Sequence, residues 1–161
     1  MRGLWLSINP RWIDSIVAGR KTVELRRRSP TVEPGAVALL YSTSPTSELV
    51  ALARVHSVVQ EPLESLWRRF GKAADVTPTE FADYFDGLTV GAAIQLESVE
   101  RLVNPVELCE LRRLGVEPAQ GWRYLDAAMT EALLKSADAR LAMSNRCQTD
   151  QGGRALHLQE T

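Results

Sequence analysis

Lys21, Glu24 and Arg26 place two cations and a carboxylate within six residues, in the run Gly19-Arg20-Lys21-Thr22-Val23-Glu24-Leu25-Arg26. A lysine is a compact charge that meets phosphate, or acts as a base when burial lowers its pKa. An arginine grips a carboxylate or phosphate through two parallel hydrogen bonds. A glutamate between them either pairs with the cations or accepts hydrogen bonds from the edge of a base. The other reading is an ion cluster that closes the mouth of a fold, since structural ion networks perturb the same groups.

Local signals predict how these side chains are positioned. Asn9-Pro10 is a helix start, because Asn caps a free N–H and Pro is tolerated at the first helical position. Trp12, Ile13, Ile16 and Val17 recur at helical spacing, and Gly19 stands where a left-handed cap ends a helix. Val23 and Leu25 then alternate with Thr22, Glu24 and Arg26, the period of a half-buried strand. Glu24 and Arg26 share one face of it, with Lys21 at the mouth.

The pattern G-x-K-x-x-E-x-R resembles the signature of the ASCH (activating-signal-cointegrator homology) domains, small β-barrels related to the PUA group of RNA-binding folds. Leu6-Ser7-Ile8-Asn9-Pro10 resembles that family's strand-then-helix opening, and Leu40-Tyr41-Ser42-Thr43-Ser44-Pro45 its strand ending in hydroxyl residues and Pro. Glu80-Phe81-Ala82-Asp83-Tyr84-Phe85, followed by Gly87 and Ala93-Ile94, resembles its aromatic helix leading into a central strand. The resemblance covers roughly residues 4 to 130. It implies an α+β fold: a PUA-like β-barrel of about five to six strands, with an N-terminal helix and further covering helices. It also implies a cleft between barrel and helices in which Lys21, Glu24 and Arg26 bind RNA, single-stranded nucleic acid, a nucleotide or a modified base. Ser42 and Ser44, with Thr43, offer hydroxyls to such a ligand or simply form the turn before Pro45.

Three functional classes stay open on this resemblance, because a fold hosts several activities. One is a binding module. The second is an enzyme using the same cleft with Lys21 as its reactive group: a ribonuclease, or an amidohydrolase of acylated cytidine. In that amidohydrolase branch the motif lysine works with a threonine and a distant glutamate, whereas here Glu24 replaces the threonine and Ala74, beside Asp75, replaces the glutamate. The third is a protein-interaction module in transcription regulation.

Composition narrows the field. At 161 residues the chain is long enough for a buried core and suits one domain, expected over 1–143, with a polar tail over 144–161 that is loose or adds a late strand. The net charge of −1 excludes a protein that coats nucleic acid by charge alone, yet residues 1–30 carry seven bases against two acids. A local basic face is therefore expected, suited to a phosphate or a short strand. Arg27 and Arg28 read as a solvated run or as phosphate contacts. No apolar run reaches the roughly 20 residues of a membrane helix, and no secretion leader is evident, which points to a cytoplasmic protein. Cys109 and Cys147 fit no metal spacing and read as free thiols; His56 and His157 have no partner set, so neither a metal nor another cofactor is implied.

The remaining pattern predicts strands over Ala36–Ser42, 48–59 and 91–99, and a short helix after Pro62. A second helix is capped by Thr77-Pro78-Thr79-Glu80, and a third covers 107–114. A last long helix is expected from Gln120 or Gly121, with Trp122, Leu125, Met129 and Leu133 at helical spacing. Trp5, Trp12, Trp67 and Trp122 all fall on apolar stripes and are expected in the core, though any of them could stack a base.

Overall fold

A computed structural model of the chain describes residues 2–137. The tail expected over 144–161, Cys147 and His157 lie outside them. The strands β1 (Gly3–Ile8), β2 (Val23–Arg26), β3 (Val37–Ser42), β4 (Glu48–Pro62), β5 (Val90–Glu107) and β6 (Trp122–Leu125) form one sheet in the order β2-β5-β4-β3-β1-β6. Four helices are α1 (Pro10–Val17), α2 (Leu63–Phe70), α3 (Pro78–Tyr84) and α4 (Leu108–Arg113), and a further helical stretch follows β6 from 127. The fold is α+β, a six-stranded barrel-like sheet with α1 near its N-terminus and α2 and α3 inserted after β4.

Two long strands give the sheet its curl. β4 and β5 pair antiparallel along almost their whole length, with register shifts between Leu49 and Ala51, Leu52 and Arg54, and Val55 and Ser57. Each irregularity adds bend and right-handed twist, so one 15-residue strand turns the corner of the barrel rather than running flat. Side chains bring the two sheet edges together. Trp122 Nε1 on β6 donates to the carbonyl of Arg28 just beyond β2 at 3.0 Å, and the Tyr124 hydroxyl accepts from Thr31 N at 2.7 Å.

β1 is buried at every position because both of its faces are covered. Leu4, Leu6 and Ile8 point into the barrel core with Ala38, Leu40, Val55 and Ile94, and α1 plugs that core with Ile13 and Ile16. Trp5 points the other way, into a second cluster with Leu39, Tyr41, Leu49, Val106 and Leu111. A third cluster lies under α2 and α3, where Val23 and Leu25 meet Leu66, Phe70, Ala74, Phe81 and Phe85. Burying each such side chain contributes roughly 1.5–3 kcal/mol. Close approach dictates Gly91 there: a Cβ at that position would stand 2.4 Å from the Phe85 ring.

The helix signals at α1 and α3 are realised. Asn9 accepts from Arg11 N at 3.0 Å, and Gly19 follows α1 with φ 79°. Thr77 and Glu80 complete a reciprocal capping box. Two expectations are corrected. The strands expected to end at 59 and 99 continue to Pro62 and Glu107, each sustained by its pairing with the other. The long helix expected from Gln120 or Gly121 is instead β6, antiparallel to β1, and helix begins only at 127, where Asp126 Oδ1 accepts from Met129 N at 2.7 Å.

Candidate functional site

The turn after α1 sets the site. Gly19 reverses the chain, the backbone N–H groups of Arg20 and Lys21 both return to the carbonyl of Ser15, and Thr22 and Val23 donate to the carbonyl of Ala73. These bonds bring β2 against the segment that follows α2. Val23 and Leu25 pack under the helices, leaving Glu24 and Arg26 facing a cleft of about 490 Å³ between the end of β1, α1 and α3.

Lys21 lies deeper than its expected place at the mouth. It is 3% exposed, because residues 73–75 fold over it, and its Nζ donates to the Ala74 carbonyl at 2.7 Å. Its ammonium is 3.4 Å from Glu24 Oε2 and 5.1 Å from the centre of the Trp12 ring. Burial pushes its pKa below the ordinary lysine value, and the Glu24 carboxylate only partly restores it. Glu24 Oε1 binds Arg26 Nη2 at 3.0 Å, and the same guanidinium nitrogen donates to the Ser7 carbonyl at 3.0 Å. All three side chains are at least nine-tenths buried.

The three expected site residues thus form one chain, Lys21–Glu24–Arg26, holding two cations and one anion. Arg26 Nε is also buried with no hydrogen-bond partner among the described residues. The ion chain itself holds two cations to one anion, while the cleft lining as a whole sets Arg11, Lys21 and Arg26 against Glu24, Glu80 and Asp83.

Ser42 and Ser44 are not brought to it. Ser42 is buried at the end of β3 opposite Ile8, and Ser44 is exposed in the following turn; neither lines the cleft. Ser7 lines it instead, although its hydroxyl is engaged by Trp5 Nε1 and the Ala119 carbonyl.

Sequence reasoning missed part of the wall. Trp12, expected in the core, is only half-buried and lines the cleft. Tyr84 closes the opposite side: it is 40% exposed and donates its hydroxyl to the Leu25 carbonyl at 3.2 Å, and burial raises its pKa. Arg11 and Glu80 bridge α1 to α3 at 2.7 Å across the opening. The usable signal for Tyr84 was its place three residues after buried Phe81 on a short capped helix, at the far end from Thr77. Arg27 points away from the cleft and ties β2 to the end of α3 through the carbonyls of Tyr84 and Asp86 at 2.7 and 3.0 Å. No group of metal-ligating side chains occurs among the described residues, and no described helix is long and apolar enough to cross a membrane.

Comparison with known proteins places this geometry. The ASCH domain family model matches residues 6–102. An ASCH domain-containing ribonuclease of Zymomonas mobilis is 30% identical over 131 residues, 80% of this chain and 88% of that protein. The crystal structure of ASCH from Zymomonas mobilis superposes with a TM-score of 0.77 at 29% identity, covering 83% of this chain and 94% of that one. Human THYN1, solved in complex with 5-methylcytosine containing DNA, is 11% identical with a TM-score of 0.54 over 85% of this chain and 98% of that one, and so shares the PUA-like fold. With a family match over more than half its length and a relative aligned over most of both proteins, this chain belongs to the ASCH domain family.

Proposed function

We propose that this chain binds single-stranded RNA in the Lys21–Glu24–Arg26 cleft and cleaves it there. The observation that carries the reading is the buried Lys21–Glu24–Arg26 ion chain, two cations about one carboxylate, on the wall of a cleft. The ribonuclease name of the Zymomonas mobilis relative supports RNA as the substrate class.

The proposed chemistry uses the three side chains of the ion chain. The RNA phosphate sits against Arg26, whose guanidinium offsets the charge that grows on the phosphoryl oxygens as the 2′-oxygen approaches. Glu24 takes the 2′-hydroxyl proton while the bond from the 2′-oxygen to phosphorus forms. The departing 5′-oxygen takes a proton from solvent water as its bond to phosphorus breaks, while Lys21, buried behind Glu24, holds that carboxylate in place through its ammonium. The products are a 2′,3′-cyclic phosphate and a 5′-hydroxyl. Glu24 then releases the proton to solvent, and the resting Lys21–Glu24 ion pair is restored.

Hydrolysis of acylated cytidine is the weaker enzymatic reading. Ala74 supplies only a backbone carbonyl where that chemistry places a carboxylate. The test is incubation of purified protein with end-labelled single-stranded RNA and its DNA counterpart, with the new termini identified by mass spectrometry. Cyclic-phosphate products from RNA alone, lost in Lys21→Met, are expected. Saturable binding with no products in any condition would leave the cleft a recognition site without turnover.

A further inference from the structure

Beyond the cleft, a second set of cations and rings lies along the seam where the sheet edges meet. Arg26 Nη2 bonds the Ser7 carbonyl, and Ser7 N bonds the carbonyl of Gly121, the residue that leads into β6. Gly121 has φ +101°, and a Cβ there would lie 4.0 Å from Arg26 Nη1, so the chain passes close beside the guanidinium. Trp122 comes next, half-buried, with the Arg28 guanidinium 5.2 Å from its ring centre. Its ring meets Tyr124 edge-on with centroids 5.2 Å apart, and Arg2 lies 3.5 Å over the Tyr124 ring. Arg26, Arg28, Trp122, Tyr124 and Arg2 therefore form a continuous path from the cleft floor to the outer sheet edge.

We propose that this seam is an RNA track: it carries the nucleotides that flank the scissile phosphate out of the cleft. The proposal rests on the ribonuclease reading above and extends it from one phosphate to a strand. Each half-exposed ring holds a guanidinium on its face, which presents a flat cationic plane for a base to stack on, with N–H edges left to reach the adjoining phosphate. The Trp122 indole N–H and the Tyr124 hydroxyl are both used to fix the backbone of residues 28–31, so the rings are held in place before any ligand arrives. Alternation of planar groups with positive charge suits a single strand, whose bases are free to turn toward the protein, better than a duplex. The local excess of bases over acids in residues 1–30 is complementary in sign.

The test uses uncleavable 2′-O-methyl RNA, a dinucleotide and a strand of about ten nucleotides, titrated against the whole protein by fluorescence anisotropy over a salt series. The longer strand is expected to bind on the order of tenfold more tightly, through stacking and added phosphate contacts. The double variant Arg2→Glu with Arg28→Glu removes that gain and flattens the salt dependence, while dinucleotide binding stays unchanged. Equal affinity for the two lengths, or a length gain that survives the double variant, overturns the track and leaves the cleft reading standing. A length gain lost in the double variant but unaffected by Arg26→Ala supports the track while removing the cleft. Failure of both oligonucleotides to bind overturns both.

Discussion

Lys21 donates its ammonium proton to the carbonyl oxygen of Ala74 at 2.7 Å, across 53 residues of chain, and is sealed from solvent by the segment that supplies this acceptor. The lysine is therefore held by one neutral and one charged acceptor, Ala74 O and Glu24, with the Arg26 cation opposing its charge and the more distant Asp75 carboxylate favouring it.

The direction of the Lys21 shift sets a pH dependence. Its pKa is lowered from 10.5, so it loses its proton at a lower pH than an exposed lysine. Tyr84, which also lines the cleft, is shifted up from 10.0 and so keeps its proton over that range. RNA binding is expected to weaken on the alkaline side, below 10.5, as the ammonium is lost. Lys21→Met should bind more weakly at neutral pH and show no such limb. An alkaline limb unchanged in Lys21→Met would assign the titration to another group.

Glu24 is the carboxylate between Lys21 and Arg26, so its charge bears directly on stability. Glu24→Gln keeps the shape and leaves two buried cations facing each other, a change expected to cost on the order of 3–5 kcal/mol. An anion that enters the cleft binds only the folded state, so inorganic phosphate should recover part of the loss in urea denaturation. Phosphate should raise the stability of the variant more than that of the parent protein. A Glu24→Gln midpoint equal to the parent's would mean the carboxylate does not compensate the cations.

Much of this was legible because it is local. Asn9-Pro10 and Gly19 bound α1, Thr77 and Glu80 cap α3, and strand alternation alone puts Glu24 and Arg26 on one face. The depth of Lys21 was not legible, because the residues that bury it follow α2, and no local pattern records that contact. The same holds for Ser42 and Ser44, whose turn chemistry reads alike whether or not a cleft lies beside it. Trp122, Leu125, Met129 and Leu133 show how periodicity misleads: spacings of three and four arise where a strand runs straight into a helix. The better punctuation was Gly121, with its positive φ before β6, and Asp126, a cap residue before the helix.

Thr77→Ala tests whether the cleft wall depends on its cap. The Thr77 hydroxyl accepts from Glu80 N at 3.1 Å, and Glu80 returns a bond to Thr77 N at 2.8 Å while also pairing with Arg11. Loss of the hydroxyl is expected to cost about 1 kcal/mol of stability and to loosen the helix that carries Tyr84. Amide hydrogen exchange should rise over α3 and stay unchanged in β1. Uniform protection across both would separate the cap from the wall.

Arg26 and Arg27 are neighbours in sequence with opposite tasks, and comparing them distinguishes a shaped cleft from a diffuse basic surface. Arg26→Ala removes a cation of the cleft and the partner of Glu24, so RNA affinity is expected to fall by about 1–3 kcal/mol. Arg27→Ala removes an exposed side chain that caps carbonyls at the end of α3, which should lower stability by roughly 0.5–1.5 kcal/mol and leave affinity nearly unchanged. Both variants are to be titrated with the same uncleavable oligonucleotide at one salt concentration, because charge removal anywhere on the surface weakens binding as salt rises. Equal losses of affinity would show that proximity of positive charge, and not the buried Lys21–Glu24–Arg26 arrangement, holds the RNA.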